Sequence, residues 1–370
     1  MFDRTKPYND LPALNFPDVE NNTRILKKLV TATRALATVN GNLNRLPNPL
    51  MLVNTLSLQE ARTSTAIENI FTTEDELYKA ISDSFHNKKP VQNPAIKEVL
   101  RYREALWAGF RTLQANPEIT EQLIIKIFNQ IKETTSGYRP PQAKVVIKKG
   151  HSELRPGEIV YTPPRGEKII NNLMQNLVVF LNNDEKYPID PLLKMCIAHY
   201  QFEAIHPFQD GNGRTGRILN LLYLYSKGLL SQPVLYISKY IILNKDDYYY
   251  KLNAVTQRKS WEPWILFMLD AIEKTSVITN ERINEIIDQM ELTFAYAKEK
   301  IKWYNKEINE VIFSQPYIKP GIIGNVLHKS SRTTLTKYMN ELVENKLLRP
   351  KKMGTTVYYL NDDLLRILEG

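Results

Sequence analysis

A single cysteine, Cys196, occurs in the 370 residues, so no intrachain disulfide can form, and it lies in the apolar stretch from Leu192 to Ile197. The opening segment MFDRTKPYNDLPAL lacks the apolar core of a secretory signal. Together these absences lead us to expect a cytoplasmic protein. No apolar run approaches the ~20 residues that a membrane helix needs, so no membrane partner is expected. The chain has no internal repeat, no low-complexity tract and no His-Glu-x-x-His, which removes repeat arrays, long disordered tracts and the zinc-hydrolase helix pattern. What remains is an ordinary globular composition, 43% hydrophobic and 24% charged, at a length that suggests two or three domains. The net charge of +9 permits acidic or nucleic-acid partners but is too widely spread to select one.

The most informative stretch is Ile205-His206-Pro207-Phe208-Gln209-Asp210-Gly211-Asn212-Gly213-Arg214-Thr215-Gly216-Arg217. Helical spacing of Leu192, Leu193, Met195, Cys196, Ile197 and Phe202 predicts a helix before it, ended by His206-Pro207 because the residue before proline disfavours the α conformation. Helical spacing resumes from Arg214 and runs to Gly228. Gly211 and Gly213 allow a tight turn whose N–H groups point at the start of the second helix, where the dipole's positive end also lies. Arg214 and Arg217 add fixed positive charge, so the loop reads as a phosphate nest. Phe208, apolar between two polar positions, is expected to anchor the loop in the core.

This stretch resembles the motif of the Fic family, His-Pro-Phe-x-Asp/Glu-Gly-Asn-Gly-Arg-x-x-Arg, at every fixed position. The resemblance implies transfer of AMP from ATP to a Tyr, Thr or Ser hydroxyl of target proteins and of the chain itself. In that reading His206 is the catalytic general base and Asp210 holds Mg²⁺. Asn212, with the amides of Gly211 and Gly213, stabilises the α-phosphate, and Arg214 and Arg217 take the β- and γ-phosphates. The implied nucleotide-contacting set is Glu68, Val160, Tyr161, His206, Asp210, Gly211, Asn212, Gly213, Arg214, Thr215, Gly216, Arg217 and Tyr248. Tyr248 enters through Tyr248-Tyr249-Tyr250-Lys251-Leu252, which resembles the family's Tyr-Tyr-x-x-Leu with its register left open by the third tyrosine. Ser64-Thr65-Ala66-Ile67-Glu68-Asn69 resembles the family's inhibitory Ser/Thr-x-x-x-Glu-Gly/Asn motif. Glu68 should then meet Arg217 in a bidentate pair and occupy the guanidinium that otherwise receives the γ-phosphate.

The expected fold is mainly α: a Fic-type helical bundle with a β-hairpin flap and a small C-terminal winged-helix domain. Residues 1–20 read as extended, wrapping a neighbouring surface. Helices are expected over 21–40, over 58–67 behind a Ser57/Glu60 capping box, from Thr73 with Glu76 as a second box, and over 93–116, 120–133, 167–181, 191–205, 214–227 and 274–305. Val145-Val146-Ile147 and Ile159-Val160-Tyr161 read as two strands joined by a turn over 148–157. The resemblance makes this hairpin the flap that docks the target peptide by strand addition. The expected divisions are an N-terminal helical region at 1–92 with the inhibitory motif, a core at 93–273, a connecting helix at 274–305, and the winged helix at 306–370.

In the last module a recognition helix over 331–345 carrying Arg332 and Lys337, with Lys351 and Lys352 in the wing, would offer a surface for DNA. Three other readings stand beside transfer. His199, Glu203 and His206 at i, i+4 and i+7 could hold a metal for hydrolysis. A Fic body could remove AMP or transfer another phosphate-containing group. It could also serve as the scaffold of a DNA-binding regulator, against which the intact His206 and Asp210 argue. Homo-oligomerisation is left open.

Overall fold

A computed structural model describes residues 2–14, 19, 21–46, 49–84, 91–149, 157–353 and 356–369. In chain order the elements are α1 (Thr23–Leu43), α2 (Pro49–Ile67), α3 (Glu74–Ser84), α4 (Pro94–Ala115), α5 (Glu121–Lys132), β1 (Ile147–Lys149), β2 (Glu158–Tyr161), α6 (Glu167–Asn182), α7 (Pro191–Ile205), α8 (Asn212–Ser226), α9 (Ile237–Leu243), α10 (Lys245–Arg258) and α11 (Trp261–Lys300). A small module follows: α12 (Lys306–Ile312), β3 (Tyr317–Ile318), α13 (Pro320–Val326), α14 (Arg332–Glu344), β4 (Arg349–Met353), β5 (Thr356–Leu360) and α15 (Asp362–Glu369). The protein is mainly helical, as expected.

Local chemistry sets many of the helix starts. Asn22, Asn93, Thr120 and Asp190 each accept a hydrogen bond from a first-turn N–H of α1, α4, α5 and α7, and Pro94 and Pro191 occupy first-turn positions that need no donor. The Thr73/Glu76 capping box forms as expected: Glu76 N donates to Thr73 Oγ1 at 3.3 Å and Thr73 N donates to Glu76 Oε2 at 3.2 Å. The Ser57/Glu60 box does not form. Helix α2 begins at Pro49, so both residues lie inside it, and Glu60 is buried, accepting bonds from Ser238 N, Ser238 Oγ and Tyr102 Oη.

The long helix also starts earlier than its expected Lys274, at Trp261, and ends at Lys300. Pro263 falls in its first turn, where a missing N–H costs nothing. It packs along α1: Asn22 and Arg24 meet Glu262, Lys28 meets Asp270 and Glu273, and Asn42 meets Asn280. Because the partners advance together along both helices, α1 and α11 run parallel.

Strands β1 and β2 pair antiparallel, with Ile147 opposite Tyr161. The expected strand at 145–147 therefore begins later, and the expected turn over 148–157 lies largely outside the described residues. The extended N-terminal segment lies on this hairpin and on α6 and α7. Tyr8 N donates to Thr162 O, Leu14 N to Asn176 Oδ1 and Gln201 Nε2 to Pro12 O.

The C-terminal sheet has the antiparallel order β3-β5-β4. It is fastened to α3. Asp75 accepts from Lys351 Nζ at 2.6 Å and from Tyr317 Oη, Asp83 from Lys319 Nζ at 2.6 Å and from Tyr358 Oη, and Tyr317 stacks on Tyr78. Lys351, expected among the DNA-facing cations, is thus engaged by a carboxylate of the same chain. Arg332 and Lys352 are exposed, while Lys337 lies 4.0 Å from Glu341.

Candidate active site

The Asp190-capped helix α7 is buried along nearly its whole length, so its C-terminal carbonyls need internal partners. Arg139 supplies them. It donates from Nε to His206 O at 2.8 Å and from Nη2 to Ile205 O at 3.3 Å and to Pro164 O, while its own N–H donates to Pro207 O at 2.8 Å. His206 closes the helix in the left-handed region, φ 51°, a conformation that turns the chain out of α7 into the loop. Its Nδ1 is buried and has no hydrogen-bond partner among the described residues. Burial, then the nearby Arg139 charge, push its pKa down to about 4, so the imidazole is neutral at pH 7 and can accept a proton.

Phe208 is fully buried and stacks on Phe128 with ring centroids 3.9 Å apart. The loop is stitched by Asn212, whose side chain accepts from Phe208 N and donates to Phe208 O, both at 2.9 Å. That amide was expected to face phosphate; here both of its polar ends hold the loop. Gly211 has φ 80°, which a side chain would strain, and it places Asn212 at the start of α8. Thr215 donates back to Gly211 O at 2.9 Å. The turn at Gly211 forms as the sequence suggests, but α8 starts at Asn212, two residues before the expected Arg214, so Gly213 lies in its first turn and not in the loop.

Asp210 is exposed on this loop. Its Oδ1 accepts from Gly211 N at 2.6 Å and its Oδ2 from Lys132 Nζ at 2.6 Å. Burial raises its pKa, but Lys132, Arg214 and the Gly211 amide outweigh that and hold it below the usual carboxylate value. An accessible, ionised carboxylate that already attracts an ammonium group suits a hard divalent cation. Among the described residues no group of three His, Cys, Asp or Glu side chains is placed to hold a metal, so the His199/Glu203/His206 ligand set does not form. His199 Nε2 instead bonds Tyr248 Oη at 2.8 Å.

Arg217, 2% exposed, donates from Nη2 to Glu68 Oε1 at 2.7 Å and to Ser64 O at 2.9 Å, and from Nε to Ser64 Oγ at 2.7 Å. The Glu68–Arg217 pairing is the one expected, but not its bidentate form, because Ser64 takes the rest of the guanidinium. The pair lies directly over Gly213, where a Cβ would stand 2.5 Å from Glu68 Oε1. Lys245 donates to Ile67 O at 2.6 Å, so a second cation caps the negative end of α2. Arg214, 2% exposed, is paired with Glu98 of α4.

Tyr161 is buried and donates to Ala204 O at 2.7 Å, which ties the hairpin to α7, and Val160 beside it is partly buried. Tyr248 packs on Trp264 and is 2% exposed, whereas its neighbour Tyr249 is 41% exposed. Burial raises the Tyr249 pKa first and the Glu68 charge next, which places its hydroxyl within the field of the Glu68–Arg217 pair. Sequence reading passed over Lys132, Glu98, Arg139, Tyr249 and Lys245. Only Tyr249 had a signal, the open register of the three tyrosines.

Glu203 sits over Gly216, where a Cβ would lie 2.5 Å from its Oε1. Burial pushes its pKa up to about 7, against the pull of Arg217. A folded pKa above the unfolded value of about 4.3 means that stability falls as pH rises from there to about 7, by roughly 4 kcal/mol in total. The isosteric Glu203→Gln should therefore melt higher than the parent at about pH 8.5 and differ little at about pH 4. Equal shifts at both pH values would show that the buried carboxyl does not titrate as described.

Comparison with known proteins agrees with this geometry. Residues 26–111 match the Fic/DOC family N-terminal domain, residues 118–224 the Fic/DOC family, and residues 289–364 the C-terminal domain of protein adenylyltransferase SoFic-like proteins. A probable protein adenylyltransferase of Aquifex aeolicus is 30% identical over 173 residues, 47% of this chain and 42% of that protein. Protein adenylyltransferase fic-1 of Caenorhabditis elegans is 42% identical over 67 residues, 18% of this chain and 13% of that protein. The chain thus matches less than half the length of these relatives. Among solved structures, a Fic family protein from Desulfovibrio desulfuricans has a TM-score of 0.57 at 21% identity, covering 94% of this chain and 98% of the other. C. elegans Fic-1 has a TM-score of 0.51 at 20% identity, covering 71% and 77%. With the loop, the α8 N-terminus and three matched segments in one fold, the chain belongs to the Fic/DOC family.

Proposed function

We propose that the protein transfers AMP from ATP to a hydroxyl of a target protein and of itself. The observation that carries this reading is that His206, kept neutral by burial and the Arg139 charge, the glycine turn into α8 and an exposed Asp210 lie on one loop. The triphosphate would lie on the N–H groups at the start of α8, where the positive end of the dipole favours anions. The hydroxyl oxygen attacks the α-phosphorus, its proton passes to His206, the α–β bridging bond breaks and pyrophosphate leaves. Asp210 would hold a Mg²⁺ ion that neutralises phosphate charge. Asn212 acts by fixing the loop, and its backbone N–H together with that of Gly213 supplies the donors to phosphate. The target would dock by adding a strand to the β1–β2 hairpin, which Tyr161 holds against the end of α7.

Glu68 would act as an autoinhibitor. While it holds Arg217, the guanidinium is not free for the γ-phosphate, and ATP is misaligned for attack. The C-terminal module reads as a winged helix, with α14 in the recognition position, and its matched surface on α3 supports a role within the chain.

Incubation of the full chain with ATP labelled at the α- or the γ-phosphate tests the proposal. Protein label should come from α-labelled ATP and from none labelled at γ. Label from the γ position would make the enzyme a phosphoryl transferase, and label from neither, with Glu68 removed and lysate supplied, would end the transfer reading.

A further inference from the structure

Lys132 is the last residue of α5 and lies 78 positions from Asp210 in sequence, yet its Nζ reaches Asp210 Oδ2 at 2.6 Å. A lysine in the last turn of a helix ordinarily serves that helix's own carbonyls. This one is directed across the phosphate loop instead. Its stem lies on the turn, where a Cβ at Gly211 would be 3.4 Å from Lys132 Cδ and 3.5 Å from Cγ. Arg214 Nη2 approaches the same carboxylate oxygen at 3.8 Å but is held by Glu98, so Lys132 is the mobile cation of the two. The pair is open to solvent, 27% on the lysine and 67% on the aspartate, and such pairs are screened and readily exchanged.

We infer that Lys132 is a phosphate-binding residue of the site, parked on Asp210 in place of a divalent cation and released to the triphosphate when metal and nucleotide arrive. A divalent ion and an ammonium group compete for one carboxylate oxygen, and the ion has the higher charge. The displaced ammonium keeps its stem over Gly211, so its three rotatable donors stay within reach of whatever phosphate occupies the nest. Before the metal arrives, the same lysine stops Asp210 from repelling the nucleotide. The inference rests on the AMP-transfer reading and adds a residue to it.

Calorimetric binding of α,β-methylene-ATP, which cannot react at the α–β bridge, tests this without turnover. The full chain carrying Glu68→Gly is compared with the same chain carrying Lys132→Met, Lys132→Arg or Asp210→Asn, with and without Mg²⁺. Lys132→Met should weaken metal-saturated binding about tenfold, through the lost phosphate contact, and metal-free binding about threefold, through the unscreened Asp210, and should lower the Mg²⁺ concentration that gives half the effect. Lys132→Arg should restore most of the metal-saturated affinity. Unchanged metal-saturated affinity or an unchanged Mg²⁺ midpoint in Lys132→Met would make the lysine an ordinary surface cation and overturn the inference. Retention of the parent's Mg²⁺ response in Asp210→Asn, or failure of every variant to bind the analogue, would instead overturn the underlying site reading.

Discussion

Replacing His206 with alanine should lower AMP transfer by about 10²–10⁴-fold, the range a positioned general base contributes, with cooperative melting retained. The ring is held at the end of α7 by bonds from Arg139 to backbone carbonyls, not to the imidazole, so those contacts survive the substitution. The fold around the loop rests on Phe208 and Asn212, which also remain. Because burial and Arg139 push the imidazole down to about 4, the base form persists throughout the neutral range. The His206-dependent rate should therefore hold from about pH 8 to about pH 5 and fall only as pH drops through about 4. Labelling with α-labelled ATP, alongside circular dichroism, is the measurement. An unchanged rate in His206→Ala would remove the base assignment.

Replacing Glu68 with glycine should raise self-modification by roughly 10–100-fold, the ratio that corresponds to the 1.5–3 kcal/mol of a charge-assisted hydrogen bond. Arg217 remains anchored through Ser64 Oγ and O, so it stays over the α8 N-terminus with one donor group released. Gly213 lies directly beneath the pair, and removing the Glu68 carboxylate opens the space above it. The backbone tolerates the change, since Glu68 follows the last residue of α2 and Lys245 still caps Ile67 O. The doubly substituted Glu68→Gly, His206→Ala chain should be inactive, which separates relief of inhibition from a new route. Flat or reduced labelling in Glu68→Gly would show that Glu68 is structural or assists AMP removal, and the autoinhibition reading would be abandoned.

What the sequence determined by itself was whatever is local. The ending of α7 at His206-Pro207, the turn at Gly211, the start of α8 to within two residues, the Thr73/Glu76 box and the burial of Phe208 follow from spacing, proline and capping chemistry within a few residues. The Glu68–Arg217 pair was legible only through family resemblance, because 149 residues separate the partners. Tertiary structure alone decided the rest. Lys132 with Asp210, Glu98 with Arg214 and Arg139 with the α7 carbonyls join residues 78, 116 and 67 apart, and no helical or strand period encodes which distant charge a buried or looped group will meet. The same holds for Lys351, whose charge reads as a DNA contact along the chain but meets Asp75 in space. Ser57 and Glu60 show the converse, a capping pattern overridden because the helix already extends back to Pro49, so both residues fall in its interior.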